Sequence, residues 1–170
     1  MKPIHKTNAA RILDALAIPY ELRPYEVDLD DLSAPSVAKK IGLPVEQVFK
    51  TLLTETVVTT GKPEHLFAVI PGDAELDLKK LALVSNHKKL EMASLKQVEP
   101  LTGYLRGAVT VLAAKKSFPA FADETIQLFD QISVSAGQRG LQLILAPEDY
   151  LRATNATLAD LTKAPSRSEA

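Results

Sequence analysis

Two apolar segments separated by a short turn constrain the fold of this chain more than any other feature. Residues 48–59 are rich in valine, leucine and threonine, and residues 66–70 read Leu-Phe-Ala-Val-Ile. Such segments favour β-strands, and a run without polar residues is typical of a central strand. Because Gly61-Lys62-Pro63 turns the chain between them and Pro71-Gly72-Asp73 ends the second, the pattern predicts an antiparallel pair.

The rest of the chain alternates irregularly between helical and extended patterns. An extended segment at residues 20–27 contains Pro24, which suits an edge strand. Three more strands are predicted at residues 109–113, 132–135 and 141–145. Capping residues and helical spacing predict helices that begin at Thr7 or Asn8, Ser33 or Ser36, Asp77, Ser94 and Pro147. This order predicts a mixed α+β domain, with a partly closed sheet and helices packed outside it.

The composition indicates one compact domain, residues 1–162, followed by a polar tail, residues 163–170. The chain has 170 residues, of which 46% are hydrophobic and 24% charged, as is usual for a globular domain. It contains no cysteine, which excludes a thiol nucleophile, a disulfide framework and cysteine-ligated zinc. The lack of cysteine also fits a reducing compartment.

The sequence shows no pattern typical of export or membrane insertion. Residues 1–6 lack the apolar core of a signal peptide, and no window approaches the roughly 18 consecutive apolar residues of a membrane span. We therefore expect a cytoplasmic protein without a membrane partner. The formal net charge of −1 does not provide the positive field of an autonomous nucleic-acid binder. DNA is therefore not an expected partner, and any contact with RNA must be local.

Lys50 interrupts the first of the two apolar segments. In the sequence Val48-Phe49-Lys50-Thr51-Leu52-Leu53 it shares one face of the strand with Val48 and Leu52. One interpretation is a lysine that blocks edge-to-edge pairing on an outer strand. The other is a lysine whose charge is held against an apolar wall by a ligand, such as a carbonyl oxygen, a terminal adenosine or a phosphate. The pattern leaves both interpretations open.

Two glycine-containing loops are further candidates for a binding site. In Ser135-Ala136-Gly137-Gln138-Arg139-Gly140, two glycines let the backbone turn tightly and direct several N–H groups to one point, which suits an anion. In Thr102-Gly103-Tyr104-Leu105-Arg106-Gly107, the tyrosine and the arginine suit contact with RNA. The alternative for each loop is a turn that serves only the geometry of the chain.

Other catalytic classes have no support in the sequence. His5, His65 and His87 lack the spacing of a helical metal site, no serine lies in a Gly-x-Ser-x-Gly motif, and a P-loop is absent. We therefore expect neither a metal ion nor a cofactor.

Four ordered motifs resemble the YbaK family of transfer RNA deacylases. They are FKTL at residues 49–52, KKLEMA at 88–93, TGYL at 102–105 and SAGQRGL at 135–141. The resemblance extends from the first helix to about Leu161. It implies a mostly antiparallel sheet partly closed into a barrel, with helices outside. It also implies an editing domain like the one inserted in many bacterial prolyl-tRNA synthetases, here acting as a free-standing enzyme.

The resemblance further implies a substrate and a reaction. The substrate of YbaK proteins is Cys-tRNA(Pro), and Cys-tRNA(Cys) is also attacked. The thiol of the substrate attacks its own ester carbonyl and releases a cyclic thiolactone, so no nucleophile from the protein is required. The expected partners are the aminoacylated acceptor end of transfer RNA and prolyl-tRNA synthetase.

The same resemblance implies roles for individual residues. Lys50 corresponds to the essential lysine of the family, and Gly107 to the glycine whose backbone faces the ester, so these two are the expected catalytic residues. The expected substrate-binding residues are Tyr25, Thr51, Ser135, Gly137, Arg139 and Gly140.

The chain departs from the family pattern near the expected pocket. Ala108 and Ala136 replace glycines, Thr110-Val111 replaces Ser-Pro, and Gln142 stands where an acidic residue is frequent. A methyl group at position 108 or 136 would narrow the space near a small side chain. Two alternatives therefore remain: a sister deacylase that hydrolyses Ala-tRNA or Ser-tRNA with water, and a non-catalytic module that binds transfer RNA or a synthetase.

Overall fold

The computed structural model describes residues 4–164, which contain five α-helices and eight strands. The helices are α1 (Asn8–Ala15), α2 (Ala34–Ile41), α3 (Leu78–Val84), α4 (Leu95–Thr102) and α5 (Pro147–Thr154). The strands are β1 (Glu21–Pro24), β2 (Phe49–Thr56), β3 (His65–Pro71), β4 (Leu90–Met92), β5 (Ala120–Asp123), β6 (Ile132–Gln138), β7 (Leu141–Leu145) and β8 (Thr157–Ala159).

Local capping signals determine where the helices begin. The Thr7 hydroxyl accepts the Ala10 N–H at the start of α1, and Ser33 caps α2 in the same way. The Asp77 carboxylate accepts two N–H groups at the start of α3. Side-chain acceptors of this kind bond N–H groups that have no partner inside the helix. All five predicted helix starts are confirmed.

The strands form two sheets, a three-stranded antiparallel sheet and a five-stranded mixed sheet. One has the order β1-β7-β6, and the other has the order β4-β2-β3-β5-β8. The predicted β2–β3 pair is confirmed as antiparallel, with Lys50 opposite Ile70. β1, which contains Pro24, lies at the edge of its sheet as predicted. The pairs β3–β5 and β5–β8 are parallel, and the other four pairs are antiparallel.

The structure shows the mixed α+β fold but not a closed barrel. In the part of the chain that is described, the two sheets are joined by an isolated bridge between Val48 and Ser133. This bridge brings the beginning of β2 beside β6. The expected barrel is therefore corrected. The strands divide into two sheets, and the hydrogen-bond ladders of these sheets do not close on each other.

The prediction of a strand at residues 109–113 is wrong. Thr110 and Leu112 are buried, but the hydrogen bonds around them are local. The Leu112 N–H donates to Thr110 Oγ1, and the Leu112 carbonyl accepts the Tyr104 hydroxyl at 2.6 Å. Ala113 has a φ of +57°, a conformation outside the β region. The apolar composition of this segment reflects its burial, but its backbone forms turns and not a strand.

Two apolar clusters lie on opposite sides of the five-stranded sheet. The larger one packs α1 and α5 against β6 and β7 and includes Leu13, Phe49, Val69 and Tyr150. The second lies under α3. Within the described residues, β4 pairs only with residues 54–56 of β2. The first half of β2 therefore borders an opening, which becomes the candidate site.

The predicted tail lies mainly outside the described residues. Residues 163 and 164 are described and residues 165–170 are not. Lys163 donates its N–H to the Glu75 carbonyl at 2.9 Å, so contacts with the domain continue to this point. No helix between residues 4 and 164 has the length and apolar character needed to cross a bilayer.

A candidate active-site cavity around Lys50

A cavity of about 480 Å³ opens beside the first half of β2. Its walls are the start of α2 with the preceding loop, β2, the end of β4 with α4, the loop at Gly107, and the facing parts of β6 and β7. Four of the predicted site residues line it: Lys50, Thr51, Gly107 and Ser135. These residues come from three separate regions of the sequence, and the fold brings them together.

Lys50 is partly buried in the wall of this cavity. Its Nζ donates to the Gly72 carbonyl at 3.3 Å. Burial lowers the pKa of Lys50, and the nearby carboxylates of Asp73 and Glu75 partly oppose this effect. At Lys50 the strand β2 pairs with β3 but not with β4, and the Lys50 side chain lies in the wall of the cavity, not on an exposed sheet edge. The geometry therefore favours the interpretation in which Lys50 serves a ligand.

Gly72 is a site residue that the sequence did not single out. A Cβ at this position would lie 2.6 Å from the Ala34 Cβ and 2.9 Å from the Val48 carbonyl oxygen. Gly72 also donates its N–H to that oxygen at 2.7 Å. α2 therefore packs directly on the turn that supplies the acceptor for Lys50. In the sequence, Pro71-Gly72-Asp73 indicated only a turn at the end of a strand.

The Gly107 loop is held in place from β6. The Ser135 hydroxyl donates to the Ala108 carbonyl at 2.8 Å and accepts the Gly137 N–H at 3.0 Å. Arg139 Nε donates to the Arg106 carbonyl at 2.8 Å. Gly107 has a φ of +86°, a conformation that favours glycine. Gly107 is exposed and lines the cavity, and its N–H donates to no backbone acceptor among residues 4–164.

Ser135→Ala is expected to loosen this loop. The change removes both hydrogen bonds of a buried hydroxyl and leaves the Ala108 carbonyl and the Gly137 N–H without a partner, which typically costs about 1–3 kcal/mol per buried group. We expect a lower urea midpoint and slower deacylation. Ser117→Ala, at an exposed position away from this loop, is the control. Unchanged stability of Ser135→Ala would contradict the role of this hydroxyl.

Four predicted substrate-binding residues lie outside the cavity lining: Tyr25, Gly137, Arg139 and Gly140. They support the loops instead. Tyr25 donates its N–H to the Gly140 carbonyl at 2.9 Å. A Cβ at Gly137 would lie 2.7 Å from the Tyr104 ring, and one at Gly140 would lie 3.1 Å from the Tyr25 carbonyl oxygen. Their contact with substrate stays a prediction.

The departures from the family pattern are located in different surroundings. Ala108 and Ala136 are buried but are not part of the cavity lining, so their methyl groups do not narrow the cavity. Gln142 does line it and is buried, and its Oε1 accepts the Ser133 hydroxyl at 2.7 Å. This acceptor position is therefore already occupied by a protein donor.

The sequence also did not single out the acidic and apolar residues that line the rest of the cavity. Asp30 and Asp31 lie in the loop before α2 and line the cavity. Hydrogen bonds from Ser33 lower the pKa of Asp31, so this carboxylate remains ionised. On the other side, Met92 and Leu95 form an apolar rim. This acidic pair before a capped helix was visible in the sequence, but its place in the wall of the cavity depends on the fold.

These features define a small α+β protein with a cavity lined by a partly buried lysine and by a glycine loop. Residues 32–153 match the family model of the aminoacyl-tRNA editing domain. The chain belongs to this family, and its resemblance to YbaK proteins is confirmed. Among residues 4–164, no group of three or more histidine, cysteine, aspartate or glutamate side chains is arranged to hold a metal ion.

Individual relatives extend the comparison over most of the chain. EbsC of Enterococcus faecalis, named as a candidate Cys-tRNA(Pro)/Cys-tRNA(Cys) deacylase, is 44% identical over 95% of this chain and 96% of its own length. The multifunctional Ser/Thr-tRNA deacylase ProXp-y of Escherichia coli K12 is 28% identical over 75% of this chain and 77% of its own. A crystal structure described as a candidate trans-editing enzyme for prolyl tRNA synthetase has the same fold. Its TM-score is 0.75 at 23% identity, covering 95% of this chain and 100% of that one.

Proposed function

We propose that this protein removes cysteine from mischarged Cys-tRNA(Pro), and from Cys-tRNA(Cys), as a free-standing editing enzyme. The observation that carries the proposal is the cavity, which both partly buried Lys50 and Gly107 line. The relative that is 44% identical carries the name of a deacylase for these two substrates. An aminoacyl ester is already activated, so positioning and stabilisation of the developing negative charge suffice for catalysis.

The chemistry of the substrate supplies the nucleophile in this proposal. The chain has no cysteine, and the Ser135 hydroxyl already donates to the Ala108 carbonyl. The cysteine sulfur of the substrate attacks its own carbonyl carbon and forms a C–S bond. The resulting oxyanion then expels the ribose oxygen, which takes up the proton lost by the thiol. The cyclic thiolactone leaves and is hydrolysed by water to cysteine.

The residues of the cavity have distinct roles in this reaction. Lys50 orients the terminal adenosine or the ester carbonyl through its ammonium group. The Gly107 N–H donates to the oxyanion, and Ser135 and Arg139 hold the Gly107 loop through the Ala108 and Arg106 carbonyls. Serine and alanine esters lack an internal nucleophile of comparable strength, so they bind without being cleaved at this rate.

Binding of transfer RNA is expected to depend on a synthetase. The net charge of −1 provides little general attraction to phosphates. Arg106 and Arg139 lie together beside the cavity and supply local positive charge for the acceptor end. We propose prolyl-tRNA synthetase as the partner that presents the mischarged acceptor end.

A second candidate is hydrolysis of Ser-tRNA or another small-residue ester by water. It is favoured by the name of the Escherichia coli relative, a Ser/Thr-tRNA deacylase. The two candidates differ in whether the side chain of the substrate takes part in the reaction.

Reversible blocking of the substrate thiol separates the two candidates. Because the chain has no cysteine, a methylthiosulfonate reagent modifies only the cysteine of Cys-tRNA(Pro). We expect the blocked substrate to resist deacylation and to become a substrate again after dithiothreitol treatment. Ser-tRNA(Pro) and Ala-tRNA(Pro) are measured alongside it. Cleavage of the blocked substrate, or faster cleavage of the serine ester, would favour water as the nucleophile.

A further inference from the structure

Tyr150 on α5 is fully buried, and its hydroxyl makes no well-aligned hydrogen bond among the described residues. Two other buried polar atoms also lack a hydrogen bond there, Glu55 Oε2 and His65 Nε2. They lie 3.3 Å apart and face each other as an acid–base pair. The Tyr150 hydroxyl has no such neighbour. A buried donor without an acceptor destabilises a protein, so its presence calls for an explanation.

The Thr51 side chain lies beside this hydroxyl. Thr51 is directly opposite Val69 in the β2–β3 pair, and Val69 and Tyr150 belong to the same apolar cluster. Burial raises the pKa of Tyr150, so the phenol keeps its proton and can donate; the neighbouring Thr51 hydroxyl opposes this shift because it would donate to a phenolate. Thr51 also lines the cavity. Thr51 therefore borders both the buried phenol and the cavity.

We propose that Tyr150 is a positioning residue that acts on the substrate through Thr51. A hydroxyl carries one hydrogen and two acceptor lone pairs. When Thr51 Oγ1 accepts the Tyr150 hydroxyl, the Thr51 hydrogen is free to point into the cavity. There it donates to an oxygen of the terminal ribose or of the ester. The two hydroxyls are neighbours without a well-aligned hydrogen bond, and catalytic hydrogen bonds commonly tighten only in the complex with substrate. The inference rests on the proposed deacylase function.

Tyr150→Phe separates a positioning role from a purely structural one. Removing the unpartnered hydroxyl is expected to leave the melting temperature unchanged or higher. The same variant is expected to lower kcat/KM for Cys-tRNA(Pro) about 10-fold, because Thr51 loses its orientation. Tyr20→Phe is the matched control, since the Tyr20 hydroxyl donates to Asp14 at an exposed position away from the cavity. A Tyr150→Phe variant with wild-type kinetics would overturn the proposal.

A double-mutant cycle with Thr51→Val tests the route. If Tyr150 acts through Thr51, the loss caused by Tyr150→Phe disappears in the Thr51→Val background. Equal losses in both backgrounds would overturn the proposed route.

Binding of a stable analogue distinguishes this inference from the proposed function. The probe is 3′-deoxy-3′-cysteinylamino-adenosine, measured by calorimetry. If the wild-type protein binds the analogue more tightly than Tyr150→Phe does, but cleaves no ester, the deacylase proposal fails and the positioning role stands. If cleavage is normal and the cycle shows no coupling, the positioning role fails alone. If the wild-type protein neither binds the analogue nor cleaves the ester, both proposals are contradicted.

Discussion

Replacing Lys50 with methionine is expected to lower kcat/KM for Cys-tRNA(Pro) by at least about 100-fold, the scale seen when one preorganised donor is removed from a reaction site. Methionine keeps much of the apolar volume of the lysine side chain. Burial lowers the pKa of Lys50, so its charge is less favourable in the folded than in the unfolded chain. The variant should therefore melt at the same temperature or higher, which separates loss of catalysis from loss of structure.

The same pKa shift predicts a pH dependence. Below its lowered pKa, Lys50 carries an unfavourable charge in the folded protein. This penalty begins to fall as the pH rises through that pKa and is gone above the ordinary lysine pKa, where the unfolded chain is deprotonated as well. The wild type is thus expected to gain stability relative to Lys50→Met at alkaline pH. Its deacylation rate, corrected for spontaneous ester hydrolysis, should fall over the same interval as the ammonium loses its proton.

Two controls sharpen the Lys50 experiment. Lys39→Ala removes an exposed lysine from α2 and is expected to leave deacylation unchanged. Lys50→Arg keeps the charge but replaces a compact ammonium by a planar guanidinium, so we expect only partial activity. Deacylation by Lys50→Met at the wild-type rate would remove Lys50 from the site.

Gly72→Ala is expected to be the most damaging small substitution near the cavity. The new methyl group would meet the Ala34 Cβ at 2.6 Å and the Val48 carbonyl oxygen at 2.9 Å, neither of which belongs to a flexible side chain. Overpacking of this kind typically costs about 1–3 kcal/mol. Because the start of α2 and the acceptor of Lys50 would both shift, we expect a lower urea midpoint together with loss of deacylation.

Gly61→Ala is the matched control for this substitution. Gly61 has a φ of +82°, but a Cβ there meets no atom within 4 Å. Its replacement therefore measures backbone strain alone, in a turn away from the cavity. If Gly72→Ala were no less stable than Gly61→Ala, close packing of α2 on this turn would not be important for the fold.

The elements that could be predicted from the sequence are those defined by neighbouring residues. Thr7, Ser33 and Asp77 cap helices through hydrogen bonds to residues two or three positions ahead, so a local pattern suffices. The β2–β3 pair was predicted for the same reason, since a short turn connects two apolar segments. The residue pattern singled out Lys50 and the loop that begins at Ser135, and the resemblance to a known family added Thr51 and a role for Gly107; all four residues line the cavity.

The errors fall where local pattern and long-range pairing disagree. The strands β4, β5 and β8 were not predicted. They are only three or four residues long, and their extended conformation depends on pairing with neighbouring strands. Residues 109–113 have a strand-like composition but find their hydrogen bonds in turns. The extent of the barrel was also misjudged, since it depends on the relative placement of two sheets.

The sequence by itself determined the helix starts, the central strand pair, the family and the lysine at the centre of the proposed site, because each depends on short-range chemistry or an ordered motif. Only the tertiary structure decided which residues line the cavity at that lysine and which lie behind its wall. Gly72, Asp31 and Tyr150 are distant from one another in the sequence, and their significance depends on distances of a few ångströms across packed elements. Those distances follow from strand register and helix packing, which no local pattern specifies.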